Sequence, residues 1–251
     1  MMQVYLTLVR RELGSYFASL TGYVIIGAVL FLLGLSFTDL MDRLNSEATD
    51  MPITELFYQT WYFWLILLLA SPLITMRTFA LEKAVGTFET LTTTPISDAQ
   101  IVLGKFTGAL MFHLCLWLPL LGSIFIVRHF TNDITAFNPG VVASTFLGIF
   151  LVGALFMSMG CFASALTRSQ IIAAMISFLL GIAFFMLSFR SFFGLPQNTW
   201  TSNVLARISM IEHMQDFVRG IVDTRFVVFY VSLTVFFLYL TLKVVESRRW
   251  K

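Results

Sequence analysis

The side chains best suited to acid–base or metal chemistry, His113 and Cys115, stand two apart in an apolar run. On a helix that spacing sends them to different faces, so they cannot share a metal ion. No His-Glu-x-x-His, no Gly-x-Ser-x-Gly elbow and no Cys/His spacing suited to zinc occurs in the chain. Gly104-Lys105-Phe106 is the nearest approach to a phosphate-binding loop. It lacks the glycine five residues before Gly104 and has Phe where Ser or Thr would hold Mg²⁺. The chain is therefore expected to be no enzyme and to hold no cofactor or metal of its own. His113 is ionisable and mid-run, which marks function by default. With no partner His or carboxylate in any apolar run, a neutral imidazole hydrogen-bonded across helices is the favoured reading.

Polar residues gather instead in two patterned connections. The segment from Arg77 to Lys105 places Leu81, Val85, Phe88 and Leu91 on one stripe of a short helix over about 81–91. Thr92-Thr93-Thr94-Pro95 stops that helix, because Pro disfavours the helical conformation of its predecessor. Ser97-Asp98 can then cap a new helix through Gln100. Such a segment suits contact with a soluble partner, and equally an amphipathic connector resting on lipid headgroups. The second connection, about 193–224, sets Val204, Ile208, Ile211, Met214, Val218 and Ile221 beside Arg207, Glu212, Asp216 and Arg219. That pattern fits a re-entrant or interfacial helix, or an ordinary surface helix.

The elements that must position these segments are membrane spans. Of 251 residues, 58% are hydrophobic and 12% charged, against roughly 25% charged in a soluble domain. Mean hydropathy is +0.85. A net charge of +2 leaves no basic surplus for nucleic acid. Apolar runs fall at about 22–38, 57–76, 104–127, 140–165, 170–192 and 225–245, six in all, and each reaches the scale of the ~20 residues a span needs. An even count puts both termini on one side, and the Lys/Arg distribution makes that side cytoplasmic: Arg10, Arg11, Arg77, Lys83, Lys105, Arg168, Lys243, Arg248, Arg249 and Lys251. The first run has no small-x-small cleavage pattern and reads as a retained span. Ahead of it, Val9, Leu13, Phe17 and Leu20 recur at helical spacing apart from Arg10, Arg11, Ser15 and Ser19. This predicts an interfacial amphipathic helix over about 3–20, against a plain extension of the first span. Gly104 and Gly108, like Gly160 and Ser164, allow close helix approach. Pro72 and Pro119 interrupt spans two and three, as hinges or as tolerated kinks. The spans contain essentially no Asp, Glu or Lys, which counts against an ion-coupled carrier or channel.

Two strings carry a resemblance. Glu82-Lys83-Ala-Val-Gly86-Thr87-Phe-Glu89-Thr-Leu91-Thr-Thr-Thr-Pro95-Ile-Ser-Asp98, followed by Gln100-Ile-Val-Leu-Gly-Lys-Phe106, resembles the coupling-helix segment of ABC-2-type transporter permeases. Ile208-Ser-Met-Ile-Glu-His213-Met-Gln-Asp-Phe217-Val-Arg219-Gly220-Ile-Val-Asp223 resembles that family's external segment before its last span. The turn Ser164 to Gln170 and the terminal Arg248-Arg249-Trp250 also fit, so the resemblance covers nearly the whole chain. It is nearest to the gliding-motility-associated and nitrous-oxide-reductase-maturation branches.

The resemblance implies one all-α ABC-2 transmembrane domain over 1–251. It would have six transmembrane helices, an N-terminal interfacial helix (with Arg10, Arg11 and Glu12), a cytoplasmic coupling helix between spans two and three, and an external amphipathic segment between spans five and six. Contact with a separate ATP-binding subunit would fall to Glu82, Lys83, Gly86, Thr87, Glu89 and Leu91, with Glu82 and Glu89 meeting basic residues. Ile208, His213, Phe217, Arg219, Gly220 and Asp223 would form the external gate segment. ATP and Mg²⁺ would sit on the partner, and a second permease subunit would complete a dimer in a bacterial inner membrane, with membrane lipid around it and an external accessory protein as a further partner. Export driven by the partner's ATP hydrolysis is the leading expectation. The alternative is a non-transporting component that passes ATP-driven motion to an external protein.

Overall fold

The computed structural model describes residues 2–46, 52–88, 96–131, 138–188 and 207–247. These form eleven helices and no strand. In chain order they are α1 (Met2–Phe17), α2 (Leu20–Ser46), α3 (Ile53–Gln59), α4 (Tyr62–Thr75), α5 (Ala80–Val85), α6 (Asp98–Leu116), α7 (Leu118–Thr131), α8 (Pro139–Leu166), α9 (Gln170–Met186), α10 (Met210–Val218) and α11 (Thr224–Glu246).

Helix starts follow side-chain capping. Ser97 accepts from the Gln100 amide while its own amide donates to the Gln100 side chain, a reciprocal box that starts α6 where Ser97-Asp98 predicts it. Asn138, Ser169, Ser209 and Asp223 cap α8, α9, α10 and α11. Each side chain satisfies an amide that the first turn would otherwise leave unpaired.

Five helical stretches are long and apolar enough to cross a bilayer: Leu20–Asn45, Tyr62–Val85, Asp98–Phe130, Pro139–Leu166 and Thr224–Glu246. Helix α9 is equally apolar but has 17 described residues. The remainder of the expected fifth span, 189–192, lies outside the described residues.

Three expected boundaries are corrected. The first apolar run was expected to end near residue 38, yet α2 continues to Ser46 and carries Asp39, Asp42 and Arg43. Its buried set, Ile25, Val29, Leu33, Ser36 and Leu40, keeps helical spacing past that point, so packing outlasts hydropathy. The second span was expected from 57. Instead α3 is a separate short helix, and Trp61, at φ 63, breaks the chain before α4. The third is two helices divided at Trp117, with Pro119 in the first turn of α7, where its missing N–H costs nothing. Pro72 stays inside α4, which is continuous around it.

Helix α8 is the centre of the bundle, packed against α3, α4, α5, α6, α9, α10 and α11. It can serve so many neighbours because it is rich in small residues. A Cβ on Gly160 would lie 2.0 Å from Thr75 Oγ1, one on Gly153 2.6 Å from His113 Nε2, and one on Gly148 2.9 Å from Met214 Sδ. Each glycine is the seat of a different neighbour, and a larger side chain there would block that close approach.

Candidate functional site

The two patterned segments sit at opposite ends of α8. Ser144 and Ser164, the residues that hold them, are separated by about 30 Å at 1.5 Å rise per residue.

At the Ser164 end lies α5. The Ser164 hydroxyl accepts from the amides of Phe79 (3.1 Å) and Ala80 (3.0 Å), and donates to the Met76 carbonyl at 3.2 Å. A side chain of α8 thus supplies the cap that α5 lacks locally. Lys83, buried, donates to the Ala165 carbonyl and lies 5.4 Å from the Phe88 ring centre. That carbonyl belongs to the last turn of α8, where a cation is also favoured by the helix dipole.

Glu82 turns into the chain. Its Oε1 is 2.8 Å from Lys105 Nζ and 3.2 Å from Arg11 Nη2. Glu12 Oε1 is 2.9 Å from the same Lys105 nitrogen and 3.0 Å from Arg11 Nη2. Glu82, expected to meet basic residues of a partner, meets them here on α1 and α6. The cluster lines a cavity of about 240 Å³ together with Ser15, Tyr16, Arg77 and Thr78.

The single helix expected over 81–91 is not formed. Helix α5 ends at Val85, Gly86 follows at φ 82, and Thr87 and Phe88 resume helical conformation. A residue in that left-handed conformation favours glycine and terminates the helix. The expected stripe divides accordingly: Phe88 is buried, Leu81 half-buried and Val85 exposed. Thr87 is exposed. Glu89 and Leu91 lie outside the described residues.

Helix α1 has three faces. Leu8, Glu12 and Tyr16 are buried against α6, where a Cβ on Gly104 would stand 3.1 Å from Leu8 Cβ and one on Gly108 2.7 Å from Glu12 Cβ. Tyr16 stacks on Phe112 at 4.8 Å and donates to the Ile74 carbonyl. The Gly104/Gly108 pair is therefore the seat of α1, and the two helices run side by side over these turns. A helix touching only lipid would make none of these contacts. Leu6, Phe17 and Leu20 are exposed beside half-buried Val9 and Leu13, while Gln3, Thr7, Arg10 and Arg11 make an exposed polar face. The expected apolar stripe is real but is not the face that holds α1 to the protein.

At the Ser144 end lies α10. Its buried residues are Met210, His213, Met214, Phe217 and Val218. The expected stripe survives in Met214, Val218 and half-buried Ile211. Ile208 and Ile221 fall outside the helix, and Val204 lies outside the described residues. Three side chains grip the carbonyls of α10: Thr54 donates to Val218 (3.0 Å), Tyr58 to Ile211 (3.2 Å) and Ser144 to Phe217 (2.7 Å). Arg219 closes the helix with an ion pair to buried Glu55, Nη2 to Oε1 2.7 Å. Gly220, at φ 89, turns the chain toward Asp223, whose Oδ1 accepts from the Arg225 amide at 2.8 Å.

His213 sits in an aromatic box. It stacks on Phe226 at 3.9 Å, meets Phe229 and Tyr230 edge-on, and shares a hydrogen bond between Nδ1 and the Tyr230 hydroxyl at 3.3 Å. Burial lowers its pKa to about 4, which keeps the ring neutral. Burial likewise raises the Tyr58 phenol, which also accepts from Trp64.

His113 is fully buried, and its Nε2 accepts from Trp117 Nε1 at 3.2 Å. The hydrogen bond expected across helices is made within the broken third span, and across helices His113 packs on Gly153. Among the described residues no group of three or more His, Cys, Asp or Glu could hold a metal ion.

Sequence reasoning missed Ser164 as a cap, Lys105 as an ion-pair centre and Glu55 as the partner of Arg219. Each is chemically ordinary alone; only its neighbour from another helix makes it functional.

Residues 3–222 match the family model described as ABC-2 type transporter. No curated protein matches the chain.

Proposed function

Since this chain belongs to the ABC-2 type transporter family and is thereby the membrane component of an ABC transporter, a multi-pass membrane protein, we propose that it couples ATP hydrolysis on a separate ATP-binding subunit to export. The family's domain is the permease component and has ATP-binding subunits as partners in general. In this reading α9 (Gln170–Met186) serves as a sixth span, so both termini are cytoplasmic. Helix α5 and Gly86-Thr87 then face the cytoplasm and meet the ATPase, and α10 caps the external mouth. A second permease copy, or a close relative, completes a dimer in a bacterial inner membrane. ATP and Mg²⁺ are held by the ATPase alone.

The observation that supports coupling most directly is the attachment of α5 to α8. Ser164 holds the α5 amides and Lys83 holds the Ala165 carbonyl, both within the final turn of the central helix. A push on α5 has little freedom to dissipate locally. It is delivered to α8, which packs against most of the bundle. An ATP-driven change at the partner can bias such a two-state element only through contacts that differ between states.

The test is ATP hydrolysis in detergent with and without the co-expressed ATP-binding subunit. Activity is expected only with the subunit, and robust activity from this chain alone would overturn the assignment. The three carbonyl contacts that hold α10 to α3 and α8 also suit passing motion to an external partner without solute movement. Stimulated ATPase without translocation would favour that second reading. The resemblance places the chain nearest the gliding-motility-associated and nitrous-oxide-reductase-maturation branches, and an adjacent gene for an external partner would distinguish them.

A further inference from the structure

Lys105 lies on α6, near the start of the third span, and only 3% of its side chain is exposed. An ammonium so deep is costly unless paired. Here it is paired twice, to Glu12 of α1 and Glu82 of α5, and it also lies 5.5 Å from the Phe79 ring centre. Arg11 touches the same two carboxylate oxygens from the more exposed side. The four charges sum to zero, so the cluster is neutral as a unit but not in any of its parts.

We propose that Lys105 is a positioning residue that joins α1 and α5 into one moving unit, so that displacement of the short coupling segment carries the N-terminal helix with it. The sign of the charges decides how the two helices behave. Glu12 and Glu82 come from separate helices and direct one oxygen each at the same nitrogen. Without the ammonium the two carboxylates face one another across the cavity, touched by half-exposed Arg11 while Arg77 in the same lining is engaged with Ser19 Oγ, and like charges drive α1 and α5 apart. With it, neither helix can leave without stranding a charge. The seat of α1 on Gly104 and Gly108 lies on the same stretch of α6, so Lys105 is placed where α1 is already closest. Movement of the joined pair in response to ATP rests on the coupling reading above; the joining itself does not.

The test uses spin labels at Thr7→Cys on α1 and Val85→Cys on α5, both exposed sites, in a Cys115→Ala background, with distances read by pulsed EPR in nanodiscs. The protein with Lys105 is expected to give one narrow distance. Lys105→Met should shift and broaden it toward longer values, Lys105→Arg should restore it, and Lys105→Met with Glu12→Gln and Glu82→Gln should narrow it by removing the repulsion. If Lys105→Met fails to yield a monodisperse protein, Lys105→Gln serves instead: it removes the charge but keeps a polar side chain, so it should loosen the α1–α5 distance while a Thr7→Cys/Ala99→Cys distance to α6 is unchanged. An unaltered narrow distance in Lys105→Met, or in Lys105→Gln, would overturn the proposal. A second arm adds the ATP-binding subunit with ATP and vanadate. Absence of a stable complex there would count against the coupling reading and leave the first arm decisive for Lys105.

Discussion

The guanidinium of Arg219 lies against the buried carboxylate of Glu55, Nε and Nη2 at 2.9 and 2.7 Å from one oxygen, and so ties the end of α10 to α3. The two ends of this pair are not equivalent. Arg219 is about half exposed and its loss is tolerable in itself, whereas Glu55 is buried and would be left as an unpaired charge. Arg219→Ala is expected to cost about 1–3 kcal/mol, and Glu55→Gln, which leaves no stranded anion, distinctly less. Thermal unfolding of both variants in detergent checks the asymmetry; equal losses would contradict it.

His213 makes the same end of the molecule sensitive to acid. Its folded pKa, about 4, lies below the usual value of 6.5, so the unfolded or opened chain binds the proton more readily. The stability held by the neutral ring is intact above pH 6.5, falls as the pH drops from 6.5 toward 4, and changes no further below that. His213→Phe should flatten the dependence in this window. Unfolding midpoints measured from pH 7.5 to pH 4 provide the comparison, and identical slopes would count against a neutral His213.

Gly160 of α8 differs in kind from Gly27 of α2. A Cβ on Gly160 would stand 2.0 Å from Thr75, whereas nothing lies within 4 Å of one on Gly27. Gly160→Val should therefore destabilise by roughly 1–3 kcal/mol or prevent assembly through overpacking. Gly27→Ala should be neutral or slightly better, since alanine favours the helix. Size-exclusion profiles and melting of the two variants test this directly.

Ser164→Ala removes the acceptor for the Phe79 and Ala80 amides at the start of α5. Loss of a helix cap costs about 1 kcal/mol, so the protein should fold, while ATPase stimulation in the complex should drop because α5 is loosened from α8. Unchanged stimulation would show that the push enters the bundle elsewhere.

Topology can be read from two exposed positions. Thr87→Cys, in a Cys115→Ala background, should resist an impermeant thiol reagent in intact cells and react after permeabilisation, while Ile221→Cys should react in both. The reverse pattern would invert the assigned sides and remove α5 from the ATPase.

The amino-acid sequence by itself determined that the chain is a bundle of apolar helices and where most of them begin. Hydropathy runs and the side-chain caps at Ser97, Asn138, Ser169 and Asp223 are local properties, and α8 and α11 accordingly lie within two residues of their expected bounds. The strings around Glu82 and Arg219 were likewise recognisable as patterned. Tertiary structure alone decided what those residues do. Glu82 turns inward to Lys105 and Arg11, Ser164 caps a helix from a distance of more than eighty residues in sequence, and Glu55 becomes the partner of Arg219. The physical reason is that an ion pair or a cap is a relation between two groups. Its strength depends on burial and on which helix arrives opposite, and neither is encoded in the residue or in its near neighbours.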